Sequence, residues 1–216
     1  MVFPNKYFFH CVCLGLVVSI FFEAQDVAAD GVMNIAMEDQ FQNSCETRAF
    51  LGDVVILVYA ERHGADKSLQ LGRKLHLHFH PTADTVSADA WSQQPVRGIM
   101  NWTSGVPVPD VRVIPVASLT EVPRALKPVA RARIRKDSPL VPLWLDFEGS
   151  LERMFGIIPG EPNVVVLDTV GQVHSVFCGK LDDQEFQQFV TRVDQIRSAS
   201  LKSVRIVTGP NENVLR

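Results

Sequence analysis

Asp53–Ser68 reads DVVILVYAERHGADKS. Residues 54–60 form a near-continuous apolar run rich in β-branched side chains, the pattern of a central strand covered on both faces. A polar turn follows at Glu61–Lys67, and a helical segment is expected from Ser68. A strand that runs through a tight turn into a helix exposes that turn at the carboxyl end of the sheet. In open α/β sheets, functional sites are commonly built there.

Downstream, strands are expected over 111–116, 140–145, 164–167 and 172–178, the last two as a hairpin about Gly171. Helices are expected over 68–75, 123–136, 149–155 and 184–197, with Asp182 or Asp183 as N-cap of the last. Apolar strands alternating with helical periods predict an α/β domain, a mixed central sheet with helices on both faces. Residues 81–110 are rich in Pro, Gly, Ser and Asp and read as a long loop. Just before them, His76, His78 and His80 alternate with Leu77 and Phe79. An extended segment would put the three histidines on one face.

The chain has 216 residues, is 46% hydrophobic and 21% charged, and carries a net charge of −3. That is ordinary globular composition. No basic cluster with interleaved aromatics points to nucleic acid. The run at 129–136, VARARIRK, reads as a solvated helix face rather than a phosphate patch. Residues 1–29 read as a secretory signal: Lys6 as the positive region, an apolar stretch over 7–22, then small residues with cleavage after Ala24 or Ala29. An uncleaved anchor is the competing reading, but the stretch is shorter than the ~20 residues of a spanning helix. Export to the periplasm or the cell exterior is therefore expected, with no membrane association after cleavage. Cys11 and Cys13 leave with the leader. Cys45 and Cys178 remain, and an oxidising compartment allows them one disulfide; two buried thiols are the alternative. Asn101-Trp102-Thr103 matches a glycosylation acceptor.

Several of these features resemble the thioredoxin-like superfamily, in its peroxiredoxin-like or thioredoxin-like branch. Tyr59-Ala60 resembles the aromatic-Ala pair that ends the first core strand. The order Asp146, Gly149, Phe155-Gly156-Ile157, Pro162, the strand 164–167 with Asp168, Gly171, Gly179 and Leu181 is similar to the family's second half. The resemblance covers about residues 33–198 and implies a three-layer sandwich over 30–198, with an insertion at 76–110 and a tail over 199–216. It also implies a cis-proline at Pro162 beside the site. The family's Cys-x-x-Cys positions would be His63 and Asp66, with Gly64 and Ala65 between them. In the peroxiredoxin register the reactive position is Lys67. Thiol exchange requires a thiolate, and none of these residues supplies one.

The residues that remain allow three readings. One is a non-redox binding or structural module for a protein or small-molecule ligand, with no catalytic residue and no cofactor. Another is an atypical thiol oxidoreductase using Cys45 and Cys178. The third is a metal site built from His76, His78 and His80, with His63 nearest in sequence.

Overall fold

The computed structural model describes residues 31–100 and 102–207. The leader expected over 1–29 and Asn101 lie outside the described residues. Seven strands form one sheet: β1 (Ala36–Asp39), β2 (Ser44–Glu46), β3 (Val54–Ala60), β4 (Val111–Ser118), β5 (Trp144–Asp146), β6 (Asn163–Leu167) and β7 (Val173–Cys178). Their order is β2-β1-β5-β4-β3-β6-β7. β3 is parallel to β4 and antiparallel to β6; β6 and β7 are the antiparallel hairpin.

All seven residues of β3 are buried, because its alternating side chains enter two cores. Val54, Ile56 and Val58 meet α1 (Ala65–Phe79) and α4 (Asp183–Val207) through Leu71, Leu75, Phe79, Phe186 and Val190. Val55, Leu57 and Tyr59 meet Ile35, Trp144 and Leu151, the last from α3 (Ser150–Phe155). Helices thus cover both faces, as the apolar run predicts. Truncating a fully buried side chain here, such as Phe79→Ala, costs about 3–5 kcal/mol.

Three elements depart from the expected bounds. Helix α1 runs to Phe79, so His76 and His78 are helical, not extended. Its buried residues Ser68, Leu71, Leu75 and Phe79 recur at helical spacing over the whole element. That period outweighs a five-residue alternation, and Gly72 is tolerated where an added Cβ would meet nothing. The insertion therefore begins after the helix, and it is ordered by short 3-10 turns at Pro81–Thr85 and Ala88–Gln93. Strand β5 starts only at Trp144. Pro142 has no N–H to give a ladder, and buried Gln40 takes over the backbone before it. The Gln40 amide donates to the carbonyls of Ser138 and Val141 and accepts from Leu143 N–H. Finally, α4 extends to Val207, so the segment after 198 continues the helix instead of starting a tail. Its start is a reciprocal capping box: Glu185 N–H donates to Asp182 Oδ1, and Asp182 N–H to the Glu185 carboxylate, both at 2.8 Å.

Candidate functional site

The turn after β3 is one 3-10 turn, Arg62–Gly64, leading directly into α1. His63, Ala65 and Asp66 are exposed, whereas Gly64 is buried. A Cβ at Gly64 would lie 2.9 Å from the Glu161 carbonyl oxygen and 3.0 Å from Ala60 Cβ. Glycine is therefore needed here for close backbone approach, and what approaches is the loop before β6.

That loop is tied to the turn at several points. Glu61 accepts from the backbone N–H of His63 and, at 2.6 Å, from that of Gly160. Burial works against the Glu61 charge, but these donors and the nearby His63 overcome it and hold its carboxyl below the usual range. Lys67 pairs with Glu161 across the same seam. Asn163, fully buried, accepts from Ile158 N–H at 2.8 Å and donates to Glu161 O at 3.0 Å; its amide also faces the carbonyls of Ile158 and Tyr59. The Tyr59 hydroxyl donates to Gly156 O at 2.6 Å. Burial first, then the Cys178 and Glu152 charges, pushes the Tyr59 hydroxyl pKa up, so it remains a donor.

Pro162 is buried beside this seam, but no cis peptide bond occurs among the described residues, so the expected cis-proline is corrected to trans. The trans form is favoured even before proline. Asn163 closes the turn through side-chain bonds to Ile158 and Glu161.

Of the two readings open for the cysteines, the disulfide is not formed. Cys45 and Cys178 are both free. They lie on β2 and β7, the two edge strands. Six inter-strand steps separate these edges, about 29 Å at the usual strand spacing, and a disulfide needs Cα atoms within about 7 Å. Burial raises both thiol pKa values, with Asp39 adding to the effect at Cys45, so neither is primed as a thiolate. Cys178 does share the site's end of the sheet: Asn163 pairs with Tyr59 on one side and Cys178 on the other.

The metal reading fails on geometry. Helical spacing stacks His76 on His80, ring centroids 4.5 Å apart, and turns His78 away against Phe79 and Phe186. His80 is buried, its Nε2 2.7 Å from Asp110 Oδ1. His63 is at the other end of α1. No group of three or more His, Cys, Asp or Glu side chains could hold a metal ion among the described residues.

Sequence reasoning missed Asn163, Tyr59 as a hydrogen-bonding residue, and the Glu61 and Glu161 contacts. One usable signal was a lone Asn opening an otherwise apolar strand, since a buried amide must find partners.

No protein-family profile matches the chain, and no curated protein sequence does. Among solved structures it is similar to the pneumococcal exposed lipoprotein thioredoxin from Streptococcus pneumoniae, at 14% identity and TM-score 0.45, over 74% of this chain and 99% of that one. A putative protein disulfide isomerase from Bacteroides thetaiotaomicron is similar at 12% identity and TM-score 0.47, over 77% and 87%. The peroxidoxin BcpB from Mycobacterium tuberculosis is similar at 18% identity and TM-score 0.41, over 80% and 96%. The chain has the thioredoxin-like fold. Its own connections define this: the parallel β3-α1-β4 unit, the antiparallel β6-β7 hairpin beside β3, and the return of α4 onto the face that α1 covers.

Proposed function

We propose that this is an exported thioredoxin-like protein whose site turn serves as a rigid, non-redox scaffold, and that the domain acts as a binding or structural module. One observation carries the reading: the turn that would present a thiolate holds His63, Gly64, Ala65 and Asp66, and it is clasped to the 158–162 loop by Glu61, Lys67 and Asn163. Imidazole and carboxylate accept protons but do not cycle between thiol and disulfide. Export rests on the leader at residues 1–29. Among the described residues, no helix is long and apolar enough to cross a membrane.

Thiol counting tests the reading against the two-cysteine oxidoreductase. The protein lacking its leader, treated with a mild oxidant, should keep two titratable thiols, and its peptide map should contain no Cys45–Cys178 crosslink. A crosslink within one chain would require the two sheet edges to meet and would overturn the assignment.

A further inference from the structure

Residues 81–97, the first part of the insertion, bury little of their own. Ala83 is the one buried residue in that stretch, and Val96 packs half-buried against the core. A segment with few buried apolar contacts opens at lower cost than the strands of the sheet. Helix α2 (Lys127–Asp137) has no buried residue either, but ion pairs from Lys127 to Glu148 and from Arg131 to Glu38 fasten it. The 81–97 segment is fastened to α1 through aromatic rings instead. Trp91 stacks on His76, with centroids 5.3 Å and planes 11° apart, and His76 stacks on His80 at 4.5 Å. At the far end, Arg97 N–H donates to the Phe79 carbonyl at 2.7 Å.

This fastening makes no provision for charge on His76, whose Nε2 is buried without a hydrogen-bond partner. A proton there would place an imidazolium against the His80 ring, out of reach of water. Asp110, at the start of β4, is the nearby carboxylate, and it is already shared. His80 Nε2 holds one of its oxygens at 2.7 Å and Arg112 the other at 3.0 Å. The Trp91 face would attract an imidazolium, but Arg73 lies over that ring, 5.6 Å from its centroid, and reaches Asp84 of the segment at 3.9 Å. His78 repeats the pattern at the far end. Its Nε2 is buried and unpartnered, Arg97 and Asp194 are its charged neighbours, and Lys74 lies over the Phe186 ring that it meets edge-on.

We propose that residues 81–97 form an acid-released strap latched by His76: a proton on its ring drives Trp91 off α1 and frees the segment while the sheet stays folded. Burial first, then the His80 charge, holds the closed ring's pKa at about 4, against an ordinary value near 6.5. The open state therefore binds the proton more readily, and acid favours opening between those values. Asp110 does not share this response. Burial opposes its charge, yet His80, Val111 N–H and Arg112 keep its carboxyl below the usual range. Release uncovers the face of α1 that carries His76 and His80.

Hydrogen exchange of the full chain, read by mass spectrometry and corrected for the intrinsic rate at each pH, tests the strap. In the segment, the N–H groups of Ala83, Ala90, Gln94 and Arg97 donate to the carbonyls of His80, Ser87, Trp91 and Phe79. Protection over 82–97 should fall by tens of fold between pH 7 and pH 4.5, while β3 keeps its protection. His76→Phe retains a ring to stack on Trp91 and takes no proton, so its fall should be much smaller. Trp91→Ala should lose the protection already at pH 7, and it serves as the second variant if His76→Phe does not fold. Strap protection that persists to pH 4.5, a loss shared equally by β3, a fall undiminished in His76→Phe, or full protection at pH 7 in Trp91→Ala would overturn the proposal.

Discussion

Arg197 is the largest fully buried side chain in the described domain. Its guanidinium donates to Pro109 O and Arg97 O, both at 2.9 Å, and to Asp194 Oδ1 at 2.8 Å. It thereby pins the middle and the far end of the segment that separates α1 from β4. Arg197→Met fills similar volume but leaves two carbonyls and a carboxylate without their donor. Breaking a buried charge pair from one side costs about 3–5 kcal/mol, so urea unfolding should show a large fall in midpoint. Gly64→Ala should cost less, about 1–3 kcal/mol of overpacking, because Glu161 must shift by tenths of an ångström. Thermal unfolding measures it, and the loop over 156–162 should become more sensitive to protease. Neither arginine nor glycine announces its role in sequence. Arg197 looks like one more polar residue on a surface helix, and its two carbonyl partners lie about ninety to a hundred positions away. Pro162 shows the same limit: its place before an apolar strand was legible, and its trans peptide was not.

Among the elements, α1 shows most plainly where sequence reading succeeds and where it fails. The strand before it was legible because seven consecutive apolar residues have few other solutions. The histidine segment was not, because HLHFH satisfies a period of two locally while Leu71, Leu75 and Phe79 satisfy the helix globally. The helical outcome has a consequence for pH. Burial, followed by the neighbouring His80 charge, pulls the His76 pKa down to about 4. Burial and then Arg97 lower His78 in the same direction. An unfolded histidine titrates near 6.5. Between these values the unfolded chain binds protons that the folded chain refuses, so stability falls as pH drops from 6.5 toward 4. Melting temperature should decline across that window, and the decline should be shallower in His76→Phe, which retains a ring to stack on Trp91. A melting temperature that is flat from pH 6.5 to 4.5 would contradict the burial of these rings.

At the scale of the whole molecule, the sheet order decides which described cysteines can meet. Spacing in sequence says nothing about which strands become edges, so the separation of Cys45 and Cys178 could not be read before β2 and β7 were placed. Once they are, Cys45 and Cys178 stand on opposite edges of the sheet, and the turn at the carboxyl end of β3 is held by a polar clasp. The most direct measurement is catalytic turnover: disulfide reduction with a dithiol donor, and peroxide consumption, by the protein lacking residues 1–29, compared with Cys45→Ser/Cys178→Ser and a heat-inactivated control. The account predicts no turnover above the control and identical traces for wild type and double variant, apart from background thiol oxidation. Robust turnover that either cysteine substitution abolishes would contradict it.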